Sequence, residues 1–323
     1  MRRIAVLTSG GDSPGMNAAI RAVARSADAA GVEPVGVRSG FAGLIDNDLE
    51  PLDARAVSGI LHTGGTVLGT GRSPLFRTTE GRQSAIKHLD LAEVDGLVVI
   101  GGDGSLRGAD ALSREGRIKV VGVPGTIDND LSGTDFTLGF DTAVNTALES
   151  IDRLRDTAAS HGRLFFIEVM GRASGWISLY CGLAGGATHV LVPEYPTDIP
   201  RVREHVQTAF AMGKTFCLVV VAEGDDAGSA YEVAERVAER LDDIDYRVAT
   251  LGHVQRGGRP SMRDRVLGSQ LGDAAVRALL DGADRVMVGE HCGRVERTPL
   301  SRAWTEQDPI PEELMGLMDR LAR

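Results

Sequence analysis

Apolar residues fall into two patterns along this chain. Short unbroken runs, Ile4 to Thr8, Leu97 to Ile100, Val120 to Val123, Leu164 to Val169 and Phe216 to Ala222, are bounded by glycine or polar residues. Runs of this length without polar alternation suit strands buried on both faces, as in a parallel sheet. Between them the apolar positions take a helical spacing: Met16, Ile20, Val23 and Ala27 at i, i+4, i+7 and i+11, then Val144, Leu148 and Ile151. That spacing predicts helices with one buried face. Strand and helix in alternation predict an α/β fold with doubly wound sheets. No proline-rich or low-complexity linker and no internal repeat divides the chain, so a second domain must be joined by short crossovers.

In open α/β sheets ligands bind beyond the carboxyl ends of the strands, which directs attention to the loops after these runs. The first, Thr8-Ser9-Gly10-Gly11-Asp12-Ser13-Pro14-Gly15, reads either as an anion cradle at a helix N-terminus or as a tight turn that needs glycine. The second, Gly101-Gly102-Asp103-Gly104-Ser105, lets a polyphosphate approach the backbone, with the next helix predicted to begin near Leu106. Asp103 there is either a hard carboxylate for Mg²⁺, acting through waters, or a helix N-cap. No GxxxxGK[ST] and no GxGxxG after a strand occurs, which disfavours Walker-type kinases and Rossmann dehydrogenases. Without a P-loop lysine, nucleotide phosphates need arginine and metal. Arg72 in Gly69-Thr70-Gly71-Arg72 is a candidate, or a solvated surface arginine. The third loop, Pro124-Gly125-Thr126-Ile127-Asp128-Asn129-Asp130, sets two carboxylates near each other; Asp128 is either a general base or a turn-forming residue.

Composition narrows the partners. With 323 residues and 42% hydrophobic content the chain suits two modest domains, and 4% aromatics with 41 glycines implies an aliphatic core. A formal charge of −10 argues against nucleic acid as the main partner. Lys87, Lys119 and Lys214 are the lysines of the whole chain, so the positive charge sits on arginine, the side chain suited to bidentate phosphate contacts; genomic base composition gives the same bias. Cys181, Cys217 and Cys292 have no paired spacing and read as reduced, structural thiols. MRRIAVLTSGGD passes directly into a strand pattern, too short for a signal sequence or membrane span, so a soluble cytoplasmic protein is expected.

The strings LTSGGDSPGMNAAIR, GGDGS, PGTIDND, IDRLRDTAASH, EVMGRASG and GHVQRGGRP, in this order from residue 7 to residue 260, closely resemble the bacterial ATP-dependent 6-phosphofructokinase family. The resemblance implies a larger nucleotide domain, 1–138 with 252–302, and a smaller sugar-phosphate domain, 139–251 with 303–323. It implies transfer of the ATP γ-phosphoryl group to the 1-hydroxyl of fructose 6-phosphate by a homotetramer. Carried onto matching positions, Gly11, Arg72, Ser73, Gly102, Asp103, Gly104 and Ser105 form the ATP site, with Asp103 for Mg²⁺. Asp128 becomes the base, Arg172 the transition-state clamp and Thr126 a third member of the catalytic group. Asp130, Met170, Gly171, Glu223, His253 and Arg256 join Thr126, Asp128 and Arg172 at the sugar phosphate, and Arg163 and Arg247 reach it from a neighbouring subunit. His253 would otherwise pass for an ordinary loop histidine.

Relatives that use pyrophosphate resemble this pattern but carry Asp where Gly104 stands and Lys where Gly125 stands, so both glycines point to ATP. Arg21 and Arg25, a like-charge i, i+4 pair, match effector positions together with Arg155 and Lys214, implying ADP or phosphoenolpyruvate as effector; a solvated face is the other reading. Ala54, Gly59, Thr188 and Met212 depart from the best-known bacterial pattern, where an arginine, an aspartate, a glutamate and a lysine stand. Loss of the carboxylate at Thr188 weakens the expected ADP response, while Arg55 stands next to the position lost at Ala54. Two rivals are a pyrophosphate-dependent enzyme and a catalytically silent sugar-phosphate sensor; the joint presence of Asp103, Asp128 and Arg172 weighs against the latter.

Overall fold

A computed structural model describes residues 1–241, 244–306 and 308–322. The chain forms two compact units, one of Met1–Thr142 with Arg256–Asp308, the other of Ala143–Gln255 with the segment from Pro309 onward. The crossings therefore fall after residues 142, 255 and 308, where the resemblance suggested 138, 251 and 302.

In the first unit the apolar runs become the central strands β1 (Arg3–Ser9), β4 (Gly96–Gly101) and β5 (Lys119–Thr126). β2 (Glu33–Val37), β3 (Leu49–Pro51), β6 (Leu138–Gly139), β11 (Val286–His291) and β12 (Arg294–Pro299) complete an eight-stranded sheet. Its order is β12-β11-β5-β4-β1-β2-β3, with β6 paired to β5. All pairings are parallel except β2–β3 and the β11–β12 hairpin.

The unbroken apolar character of the central strands follows from layers on both faces. Ile4, Val6, Val98, Ile100, Val121 and Val123 pack with α1 (Met16–Ala29) and α9 (Met262–Leu280). The alternate positions Ala5, Leu7, Leu97, Val99 and Val120 pack with α2 (Phe41–Asp46), α3 (Thr79–Leu91) and α4 (Asp103–Glu115). From β1 the chain moves outward to β2, and from β4 it moves the other way to β5. The β1 and β4 loops thus leave on opposite faces, which opens a crevice at their carboxyl ends.

The second unit repeats this logic on a smaller scale. β7 (Leu164–Val169), β8 (His189–Leu191), β9 (Cys217–Ala222) and β10 (Tyr246–Thr250) form a fully parallel sheet in the order β10-β7-β9-β8. α7 (Ile199–Ala211) and α8 (Ala230–Ala238) cover one face through Val202, Val206, Val233 and Val237. α5 (Phe140–His161), α6 (Trp176–Gly185) and α11 (Glu312–Leu321) are its other α-helices among the described residues, while α10 (Arg302–Thr305) belongs to the first unit. β7 leads toward β8 and β9 leads back toward β10, so the reversal falls between β7 and β9.

Every strand predicted from an unbroken apolar run is present, and so are the two predicted helices. One boundary needs correction: α4 begins at Asp103 rather than near Leu106, and Gly102, not Asp103, is its N-cap. The flexible glycine stretch is already helical because Ser105 and Leu106 donate N–H groups back to Gly102 O. No described helix is long and apolar enough to cross a membrane.

Candidate active site

The larger unit gathers its glycine loops at the β1/β4 crevice. Ser105, at the start of α4, is buried and wedges between the two loops: a Cβ on Gly101 would fall 2.7 Å from its Cβ, and one on Gly10 would fall 3.2 Å from its Oγ. Gly11 lies against Arg256, which follows 245 positions later; a Cβ at Gly11 would sit 2.0 Å from Arg256 Nη1. Arg256 Nη1 also donates to Asp12 O at 3.3 Å, so glycine at 11 is what lets a guanidinium lie along this loop. Thr70 Oγ1 donates to Gly10 O at 2.9 Å, which brings the 69–73 segment to the same loop. Arg72 is exposed, and Ser73 Oγ accepts the Phe76 N–H at 3.3 Å just ahead of the short helix Leu75–Arg77.

Asp103 stands half-buried in the first turn of α4, where helix N–H groups and the macrodipole favour negative charge. Its Oδ1 accepts from Arg107 Nε at 2.5 Å, and the Arg107 guanidinium lies 5.2 Å from the Trp304 ring centroid. A lone carboxylate at a polyphosphate cradle is the donor set Mg²⁺ uses when it keeps most of its waters, so the residues fit that ion.

The loop after β5 is held by Asn129. Its backbone is left-handed (φ 51°), a conformation asparagine tolerates, and its side chain accepts from Thr137 N at 2.8 Å and donates to Asp135 O at 3.2 Å. This sets Asp128 inward, 2% exposed, and leaves Asp130 exposed. The Asp128 N–H donates to Thr126 Oγ1 at 3.2 Å, and Thr137 Oγ1 donates to Thr126 O at 2.6 Å. Asn129 is thus the residue whose side chain closes this loop, bridging it to Asp135 and Thr137.

In the smaller unit the β7/β9 reversal collects a second group. Gly171 (φ 145°) and Arg172 (φ 53°) both have positive φ and follow the buried Met170. The turn is held by Glu223 from the loop after β9, whose Oε1 accepts the N–H of Arg172 at 2.7 Å and of Gly171 at 3.4 Å. Gly224 fits underneath: a Cβ there would lie 1.8 Å from Arg172 O. His253 is exposed on the turn Gly252–Arg256.

Arg163 and Arg247 lie together at the start of β7 and β10. Arg163 Nε donates to Asp245 Oδ2 at 2.9 Å, and Arg247 Nη1 donates to Asp245 Oδ1. Asp245 was not singled out from the sequence. The available signal was its i, i+2 spacing from Arg247, which puts both on one side of an extended segment.

Of the four effector positions, Arg21 and Arg25 line a surface groove between α1 and α9 with Ser26, Asp273 and Arg277. Arg155 and Lys214 belong to the other unit. The Arg155 guanidinium approaches Gly186, and Lys214 Nζ donates to Ala322 O at 2.6 Å.

Gly104 and Gly125 differ in surroundings. A Cβ at Gly104 meets nothing within 4 Å, whereas one at Gly125 would lie 3.0 Å from Ile100 Cγ2 and 3.2 Å from Gly101 N and Met16 Cε. Position 104 thus borders open space at the cradle, and 125 is enclosed by the core.

The family model described as phosphofructokinase matches residues 3–279. The ATP-dependent 6-phosphofructokinase 1 of Thermus thermophilus is 55% identical over 322 residues, covering 100% of both chains. Among solved structures, Saccharomyces cerevisiae phosphofructokinase superposes with a TM-score of 0.90 at 37% identity, over 94% of this chain and 45% of the yeast chain. The pyrophosphate-dependent phosphofructokinase of Nitrosospira multiformis gives 0.86 at 26% identity, over 96% and 86%.

Proposed function

Since this chain belongs to the phosphofructokinase family, we propose that it is an ATP-dependent 6-phosphofructokinase that converts fructose 6-phosphate and ATP to fructose 1,6-bisphosphate and ADP. The observation that carries this reading is the β1/β4 crevice, where the Gly10–Gly11 and Gly102–Ser105 loops meet at the N-terminus of α4 beside Asp103. ATP is favoured as donor because Gly104 leaves its surroundings open, while the enclosed Gly125 has no room for the lysine seen in pyrophosphate users.

In this reading Asp128 takes the proton of the sugar 1-hydroxyl as that oxygen bonds to the γ-phosphorus and the bond to the β,γ-bridging oxygen breaks, releasing ADP. Such transfers need positioning and charge compensation more than covalent chemistry. Arg72, Ser73 and the loops at Gly11 and Gly102–Ser105 hold the nucleotide, with Thr126 beside the base, and Arg172 offsets charge on the transferring group. Asp103 would hold Mg²⁺, which would supply charge neutralisation on the phosphates. Asp130, Met170, Gly171, Glu223, His253 and Arg256 position the sugar phosphate. Arg163 and Arg247 meet its phosphate from a neighbouring subunit of a homotetramer. ADP or phosphoenolpyruvate acts at Arg21, Arg25, Arg155 and Lys214.

A coupled assay of fructose 1,6-bisphosphate formation with fructose 6-phosphate and Mg²⁺, given either ATP or pyrophosphate, tests the reading. Activity with ATP alone supports it. Activity with pyrophosphate, or with neither donor in a folded protein, rejects it.

A further inference from the structure

Away from these groups the smaller unit brings together three side chains that none of the proposed chemistry uses. His189 on β8, His205 on α7 and Asp319 on α11 each offer one ligand atom, and these atoms all lie within 4.8 Å of one another. The two histidines face each other through Nδ1, 3.0 Å apart. All three residues are half-buried.

We propose that His189, His205 and Asp319 form a structural site for a divalent transition-metal ion of the Zn²⁺ type. A tetrahedral ion with bonds of about 2.0–2.1 Å holds its ligands roughly 3.3 Å apart, close to the observed imidazole separation. Two imidazole nitrogens and a carboxylate oxygen suit zinc or cobalt and not Mg²⁺, so the site is chemically separate from the reaction's own cation.

The carboxylate has the support expected of a ligand. Arg201, one turn before His205 on α7, donates Nη2 to Asp319 Oδ2 at 2.6 Å, which orients the carboxylate. Arg201 is itself placed by Asp198, whose side chain caps α7 by accepting the Arg201 N–H at 3.2 Å. Next to the cluster is a cavity of about 180 Å³, lined by His189, Tyr195, Thr197, Arg201, Met318 and Asp319 among others. That volume admits a water as fourth ligand. The ion would tie the last helix to β8 and α7, elements far apart in the chain, and so stabilise the folded unit by closing long loops.

A second grouping, Asp135 from the loop after β5 with His291 and Cys292 of the β11–β12 hairpin, also offers three ligand atoms but is mostly exposed. The test therefore uses the full chain with Cys292→Ser, stripped with EDTA and titrated with Co²⁺, whose visible absorption reports tetrahedral coordination. One Co²⁺ per chain, displaced by Zn²⁺, is the expected result. His205→Gln and Asp319→Asn should each weaken Co²⁺ binding by at least about tenfold, and Zn²⁺ should raise the melting temperature of the parent but not of either variant. Phosphoryl transfer with saturating substrates stays unchanged in both. The proposal is overturned if the stripped protein takes up no tetrahedral Co²⁺, or if both variants bind it as tightly as the parent. Should His205→Gln not fold, Asp319→Asn alone decides.

Discussion

Glu223 and Arg172 are joined through the backbone: Glu223 Oε1 accepts the Arg172 N–H at 2.7 Å, in a turn where Arg172 has a left-handed φ of 53°. The same oxygen receives the Gly171 N–H at 3.4 Å, so one carboxylate from the loop after β9 sets the conformation of the loop after β7. The proposed transition-state clamp is thus oriented through its backbone by a residue assigned to the sugar phosphate.

Glu223→Ala should lower kcat/KM for fructose 6-phosphate by about ten- to a hundredfold, the equivalent of losing a hydrogen bond to a charged group worth about 1.5–3 kcal/mol. Glu223→Gln keeps an acceptor and should lose less. Steady-state kinetics on both variants decide the point, and wild-type values for the alanine variant would remove Glu223 from the site.

Asp128→Ser should reduce turnover by at least about a hundredfold while binding of ATP and fructose 6-phosphate persists. Calorimetric titration of each ligand separates this outcome from a binding defect. Near-normal turnover would mean that another group takes the proton.

Gly104→Asp should leave the fold intact, because a Cβ at this position meets nothing within 4 Å and an acidic residue suits the first turn of α4. The KM for ATP should nevertheless rise by at least about tenfold, since a carboxylate now stands at the phosphate cradle. Gly125→Lys, crowded by Ile100 and Met16, should instead cost about 1–3 kcal/mol of stability. Thermal melts and ATP titrations on the pair read the two effects apart, and an unchanged KM in the folded Gly104 variant would contradict the donor assignment.

Arg163→Ser should raise the KM for fructose 6-phosphate by about tenfold or more with kcat little changed, as expected for uniform binding of a phosphate that does not react. Arg247 keeps its partner Asp245 in this variant, so part of the phosphate site survives. Identical kinetics in an intact tetramer would refute the assignment.

Thiol reactivity should be uneven. Burial raises the thiol pKa of both Cys181 and Cys217, Cys181 to about 12, whereas Cys292 is exposed at the hairpin turn. Because the reactive species is the thiolate, a native-state titration near neutral pH should find a single fast-reacting thiol, with the others released on denaturation. Loss of that fast phase in Cys292→Ser completes the check, and two or more fast thiols in the native enzyme would contradict the buried positions. The sequence grouped all three cysteines as structural; Cys292 is the correction, since a two-residue hairpin turn exposes its side chain.

The sequence by itself determined the central strands, the first helix, and the loops at Gly11, Gly102–Ser105 and Thr126–Asp130. A strand covered on both faces must be continuously aliphatic, and a loop that approaches another backbone must carry glycine; both requirements are local and are written in consecutive residues. The edge strands β3, β8, β10 and β12 escaped notice because they are short or partly exposed and have mixed composition. Tertiary structure alone decided the strand orders that place the two crevices, the meeting of Gly11 with Arg256, the hold of Glu223 on Arg172, the shared carboxylate of Arg163 and Arg247, and the cluster of His189, His205 and Asp319. Periodicity records which face of a segment is buried but not which distant segment covers it, and that choice is made only when the whole core closes.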